Sequence, residues 1–196
     1  MPFLKPGKDP TQEAFYRPII LLSNLSRIFE KINLHRLMWF LEKNSLLPDY
    51  QSGFRMNRST VDQLIRLEHV ICKSVKEKKV VITVLFDISK AYNRVPHILL
   101  LVKLARIGIN GRMLGLNKSF LENRTIQVSL LGELSEVKEA NCGVPQGAIL
   151  SPILFLVYLA DMPDLQDVKV AAFANDLCFY TISEDYQLAL QKCKEL

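Results

Sequence analysis

Seven consecutive residues, Val80 to Phe86, read Val-Val-Ile-Thr-Val-Leu-Phe and end on Asp87. β-branched side chains lose rotamer freedom in a helix and pack well on a pleated surface, so the run is predicted to be a strand. Lacking polar alternation, it is expected to be covered on both faces. Such a sheet needs helices beside it, and the flanking periodicity supplies them. Val61, Leu64, Ile65, Ile71 and Val75 outline an amphipathic helix closed by Glu77, Lys78 and Lys79. Pro96 suits the first turn of another, continued by Ile98 to Ile107, with Gly108 separating it from a further helical stretch, Met113 to Leu121.

The remaining pattern completes an α/β (α+β) chain. Residues 1 to 18 carry Pro2, Pro6, Gly7, Pro10 and Pro18, and no regular structure is predicted there. Leu25, Ile28, Phe29, Ile32, Leu37, Phe40 and Leu41 fall at helical spacing up to Asn44, and residues 45 to 59 read as a loop. Ile126, Val128 and Leu130 alternate with Thr125, Gln127 and Ser129, and Gly132-Glu133 turn this strand back towards Val137. Ser151 followed by Pro152 predicts a capped helix to about Met162. Val168 to Ala174 and Leu177 to Ile182 are two short strands with Asn175 and Asp176 as the turn between them, and a last helix starts near Asp185.

With 8 Gly and 9 Pro among 196 residues, 49% of them apolar, collagenous, low-complexity and disordered classes are excluded. Ile149 to Met162 is shorter than the roughly 20 apolar residues a bilayer requires, so no membrane role is predicted. The N-terminus lacks the apolar stretch of a signal peptide. Cys72, Cys142, Cys178 and Cys193 form no C-x-x-C pair and read as reduced thiols of an intracellular protein. His35, His69 and His97 stand singly and are no metal set. A net charge of +5 suits a polyanionic partner.

Three segments could carry chemistry, though each also has a plain structural explanation. Asp87 in Phe86-Asp87-Ile88-Ser89-Lys90-Ala91-Tyr92-Asn93 could simply begin a turn. Gly143-Val144-Pro145-Gln146-Gly147 could be a turn leading into a helix, and Phe173-Ala174-Asn175-Asp176 an ordinary hairpin tip. In this order, however, they resemble the reverse transcriptase family, specifically the enzymes of non-LTR (long interspersed element) retrotransposons. Tyr16-Arg17-Pro18-Ile19 with Leu21 and Leu22 is similar to that family's first fingers motif, and Gln51-Ser52-Gly53-Phe54-Arg55 with Ser59-Thr60 to its second. The resemblance covers nearly the whole chain.

It implies a polymerase right-hand fold with helical fingers at 1–78, a ferredoxin-like palm sheet at 79–196, a fingers-type hairpin at about 124–141, and no thumb. It also implies RNA-directed DNA synthesis by two-metal nucleotidyl transfer to a primer 3′-hydroxyl, a reaction that needs convergent carboxylates for two Mg²⁺ ions, or Mn²⁺ in their place. Asp87 and Asp176 are the implied metal ligands, with the Ile88 carbonyl as a further oxygen. Asn175 stands where the family carries the first aspartate of the pair, and Asn93 where an Asp is common. Tyr92 is implied to crowd a ribose 2′-hydroxyl, Gln146 and Gly147 to lie at the incoming nucleotide, and Arg17, with Arg55 and Arg27 after it, to meet a triphosphate. Lys5/Lys8, Arg55/Arg58 and Lys76/Lys78/Lys79 are candidates for a template path. The implied partners are an RNA template, a DNA primer and deoxynucleoside triphosphates. With Asn175 in the turn and the chain ending at Leu196, a fragment or decayed copy of a larger polyprotein is expected. The alternative is a catalytically dead remnant that still binds nucleic acid; an RNA-dependent RNA polymerase is disfavoured by Tyr92.

Overall fold

The computed structural model describes residues 2–130, 132–162 and 167–194. In chain order the elements are β1 (Pro2–Leu4), β2 (Tyr16–Pro18), α1 (Asn24–Lys43), α2 (Thr60–Lys76), β3 (Val80–Asp87), α3 (His97–Arg106) and α4 (Gly111–Leu121). Then come β4 (Thr125–Ile126), β5 (Ser129–Leu130), β6 (Glu133–Leu134), β7 (Lys138–Glu139), α5 (Ser151–Leu159), β8 (Val168–Phe173), β9 (Asp176–Ser183) and α6 (Tyr186–Lys194). The chain divides into two compact units, 1–46 with 90–158 and 47–89 with 159–196. Among the described residues, no helix is long and apolar enough to cross a membrane.

The second unit holds an antiparallel sheet in the order β3-β9-β8, with α2 against β3 and β8 and α6 against β3 and β9. β9 is therefore the central strand, burying Leu177, Tyr180, Thr181 and Ser183. This corrects the expectation that Val80–Asp87 is covered on both faces: Leu85 is 78% and Phe86 42% exposed, and among the described residues β3 lies at the edge of the sheet. A β-branched run reports strand propensity, and the burial of its side chains depends on what packs over the two faces of the sheet there.

α2 is a second correction. It starts with a capping box in which the Ser59 amide donates to Asp62 Oδ2 (2.6 Å) and the Asp62 amide to Ser59 Oγ (3.3 Å). Yet Val61, Leu64, Ile65 and Val75 are exposed, while Gln63 and Ser74 are buried. Gln63 Nε2 donates to the Tyr50 carbonyl (3.1 Å) and to Ser52 Oγ, which fixes the polar side of the helix inward over the 47–58 loop.

In the first unit, the proline-rich N-terminus is regular after all: β1 and β2 pair, with Phe3 opposite Arg17. Prolines at the outer positions of a two-stranded ribbon need no amide for the ladder. α1 buries Glu30, Asn33, Leu37 and Leu41, whereas Leu25, Ile28, Phe29 and Ile32 of the predicted apolar face are exposed. The hairpin after α4 forms as two short paired segments, β4 with β7 and β5 with β6. α5 ends at Leu159, and Ser151 does not cap it: its Oγ is buried and makes no hydrogen bond among the described residues. The cap comes from far along the chain, because Glu30 Oε2 accepts from the amides of Ile149 (2.6 Å) and Leu150 (3.2 Å). A carboxylate there satisfies donors that have no intrahelical acceptor and opposes the helix dipole.

Candidate active site

The second unit brings three of the predicted residues together. β3 pairs with β9 so that Asp87 stands directly opposite Asp176. Asn175, in the turn before β9, donates from Nδ2 to Asp87 Oδ1 at 3.1 Å. Asp87 and Asp176 are exposed to solvent. Two carboxylates facing each other across a ladder repel, so the arrangement favours a cation or a hydrogen-bond donor between them. The Asn175 amide is such a donor. Ile88 follows Asp87 directly, outside the strand, so its carbonyl is not committed to the β3–β9 ladder.

The turn sits one residue earlier than its sequence suggests. Phe173 pairs with Asp176, which makes Ala174 and Asn175 the two loop residues and places Asp176 in the ladder. Of the two, Ala174 has the positive φ, +58°, at a position where glycine is usual.

The segment Gln51-Ser52-Gly53 packs on this turn. The Ser52 amide donates to the Ala172 carbonyl (2.9 Å) and the Ala172 amide to the Tyr50 carbonyl (2.8 Å), extending the sheet beyond β8 by one bridge. Gln51 Oε1 accepts from the Ala174 amide (2.8 Å) and the Gly53 amide (2.8 Å), and Gln51 Nε2 donates to the Ala174 carbonyl (3.2 Å). A Cβ on Gly53 would lie 2.2 Å from the Ala174 nitrogen, so only glycine lets the two backbones approach this closely. Arg55, expected at a triphosphate, is buried and donates from one guanidinium nitrogen to the carbonyls of Pro48 (2.7 Å) and Gln51 (3.3 Å). Arg58 pairs with Asp49 (2.8 Å), holding the Asp49 carboxyl below the usual range chiefly through that hydrogen bond.

The nucleotide-side candidates lie in the first unit. Tyr92 stacks on Phe155 with ring centroids 5.1 Å apart, and burial pushes its phenol up to about 12. Tyr92 and the residues after it are laced to the glycine-proline segment: the Val144 amide donates to the Tyr92 carbonyl (2.7 Å) and the Gly143 amide to the Val95 carbonyl (2.8 Å). His97 Nε2 lies 2.7 Å from the Gly143 carbonyl, which requires a proton on that nitrogen. Gly143 itself has φ +86°, and a Cβ there would meet Asn93 Cα at 2.9 Å. The Gln146 carbonyl accepts from the Ile20 amide (2.8 Å), which brings the segment after Arg17 to Gln146 and Gly147. Arg17, on β2, is exposed. The roles of Gln51, Gln63, Glu30 and His97 carry no local signal, because their partners are 123, 11 to 13, 119 to 120 and 46 residues away in the chain.

Among the described residues, no three His, Cys, Asp or Glu side chains gather as a metal cluster. The donor set at the turn is two carboxylates and an amide. That set fits a hard cation of the Mg²⁺ kind, which binds through one or two carboxylates and completes its shell with water and phosphate oxygens.

Comparison with known proteins places the chain in one family. Residues 5–196 match the family described as Reverse transcriptase (RNA-dependent DNA polymerase). The RNA-directed DNA polymerase from mobile element jockey of Drosophila melanogaster is 35% identical over 97% of the chain, which spans 22% of that protein. The probable RNA-directed DNA polymerase from transposon X-element of the same organism is 36% identical over 89% of the chain, which spans 20% of it. The chain thus covers about a fifth of the length of these relatives. Among solved structures, telomerase from Candida tropicalis in complex with a TWJ fragment of telomeric RNA matches with a TM-score of 0.61 at 16% identity, over 88% of this chain and 30% of that one. Telomerase from Candida albicans gives 0.59 at 14%, over 87% and 32%. At such identity the likeness concerns the fold, a fragment of the polymerase right hand. With its motifs, its fold and its relatives in agreement, the chain belongs to the reverse transcriptase family, as part of the reverse transcriptase domain of a non-LTR retrotransposon.

Proposed function

We propose that this chain supplies the fingers (1–78) and part of the palm (79–196, with the hairpin at about 124–141) of an RNA-directed DNA polymerase that extends a DNA primer on an RNA template from deoxynucleoside triphosphates. The observation that carries this reading is the register that sets Asp87 opposite Asp176 at the open end of β3 and β9, with Asn175 beside Asp87. Two divalent ions, when bound, would stabilise the attacking and leaving oxygens of an in-line displacement. Asp87, Asp176 and the Ile88 carbonyl would hold them, Mg²⁺ by preference and Mn²⁺ as a substitute. Tyr92 would narrow the space at the sugar 2′ position, held by its stacking on Phe155. Gln146 and Gly147 would form the nucleotide floor, and Arg17 would meet the triphosphate. Arg55, proposed from its motif for the same task, acts on the structural side by holding the Gln51 loop. The four cysteines are free, which suits a reducing intracellular compartment.

A second reading, a nucleic-acid-binding remnant without turnover, is favoured by one observation: Asn175 offers Asp87 an amide proton where a third carboxylate would add the charge two dications need. Primer extension on an RNA template, with the chain joined to the thumb of a family polymerase, separates the two. Asn175→Asp is expected to raise Mg²⁺-dependent extension about 10²-fold, and Asp87→Ala to abolish it, with deoxynucleotides preferred over ribonucleotides. Extension that survives Asp87→Ala would refute the metal-site assignment. If no variant extends the primer while the chain still binds an RNA/DNA hybrid with salt-dependent affinity, the remnant reading stands. No binding at low salt would remove both.

A further inference from the structure

We infer that Gln51 is a positioning residue for the metal-ligand turn: its side-chain amide acts as a surrogate peptide group that clamps both polar groups of Ala174 and so fixes where Asn175 and Asp176 stand. The inference deepens the proposed function, since it rests on Asp87 and Asp176 as metal ligands.

Ala174 occupies the first loop position of the β8–β9 hairpin with φ +58°, a conformation in which its Cβ crowds the backbone. A non-glycine residue stays there only when its surroundings hold it. The holding group is visible. Gln51, 3% exposed, accepts the Ala174 N–H at 2.8 Å and donates to the Ala174 C=O at 3.2 Å, reproducing the two-bond pairing of neighbouring strands. Its oxygen is fixed in turn by the Gly53 amide at 2.8 Å, and its backbone by the Ser52–Ala172 and Ala172–Tyr50 hydrogen bonds. Arg55 closes the far side of the loop through the Gln51 carbonyl. All of these partners belong to one compact unit. The adjacent Asn175 and Asp176 carry the side chains that face Asp87, so a rotation at Ala174 moves both relative to it.

The experiment uses the full chain, with amide hydrogen exchange at Ala174 followed by NMR and binding of Mn²⁺ alone followed by electron paramagnetic resonance. Gln51→Ala is expected to accelerate Ala174 exchange by about tenfold or more and to weaken Mn²⁺ binding several-fold. Gln51→Glu keeps the acceptor but sets a second oxygen against the Ala174 carbonyl in place of the donor; it is expected to fall between the parent and Gln51→Ala in Ala174 protection. Ala189→Gly in α6, which lowers stability away from the turn, is expected to leave both readouts at the parent value, separating positioning from a general loss of stability. Unchanged exchange and unchanged Mn²⁺ binding in Gln51→Ala would overturn the inference. If the parent chain binds no Mn²⁺, or Asp87→Asn binds it equally well, the metal reading fails, and Ala174 exchange decides the clamp: faster in Gln51→Ala supports it, unchanged refutes it.

Discussion

Gly53→Ala is the most severe single-methyl perturbation available near the turn. The added Cβ would lie 2.2 Å from the Ala174 nitrogen, 2.8 Å from Ala174 Cα and 3.0 Å from Gln51 Oε1. Carbon makes favourable contacts at roughly 3.5 Å, so the Gln51 loop and the turn must separate by more than about 1 Å. The two nearest atoms are backbone and have no rotamer to escape into. A separation of that size carries the 2.8 Å bond between the Ala174 amide and Gln51 Oε1 beyond hydrogen-bonding range. Overpacking of this kind costs about 1–3 kcal/mol, and each buried bond lost adds about 0.5–1.5 kcal/mol, so about 2–4 kcal/mol is expected overall. Urea unfolding followed by circular dichroism measures it as a lowered midpoint at constant slope. Gly115→Ala is the internal control: it lies in α4 with nothing within 4 Å of an added Cβ, and is expected to stabilise by about 0.5–1 kcal/mol. A Gly53→Ala midpoint equal to the parent's would show that the loop does not press on the turn, and the packing argument would fail.

Glu30→Ala leaves the amides of Ile149 and Leu150 without their acceptor, an expected loss of about 1–3 kcal/mol in the same urea assay, with Glu30→Gln recovering part of it; a loss below about 0.5 kcal/mol would show that Glu30 is not the cap of α5. Tyr92 should titrate near 12 in an alkaline ultraviolet titration, while the unfolded chain ionises near 10. Because the raised value favours the neutral phenol in the folded state, its contribution is fully present below pH 10 and is lost as pH rises from about 10 to 12. Tyr92→Phe should remove that part of the alkaline slope, and an unchanged slope would place the phenol in solvent.

The sequence by itself determined the strands and helices near the site, and the aspartate that ends β3, because side-chain stiffness and helical period act over a few residues; that Asp176 begins β9 and does not sit in the turn came only with the strand register. Val80–Asp87 is a strand for that reason, and Ser59 caps α2 through a partner three residues away. What a residue touches across the chain was decided only by tertiary structure. The β-branched run does not reveal that β3 is an edge, since pairing order is a property of the sheet. Nor does Ser151-Pro152 reveal that the helix behind it is capped by Glu30, about 120 residues earlier. Gln51 and Gly53 stand out as a motif without a stated task. Their task exists only where the chain has folded Ala174 against them, because a backbone approach this close is enforced by long-range packing and leaves no local periodicity to read.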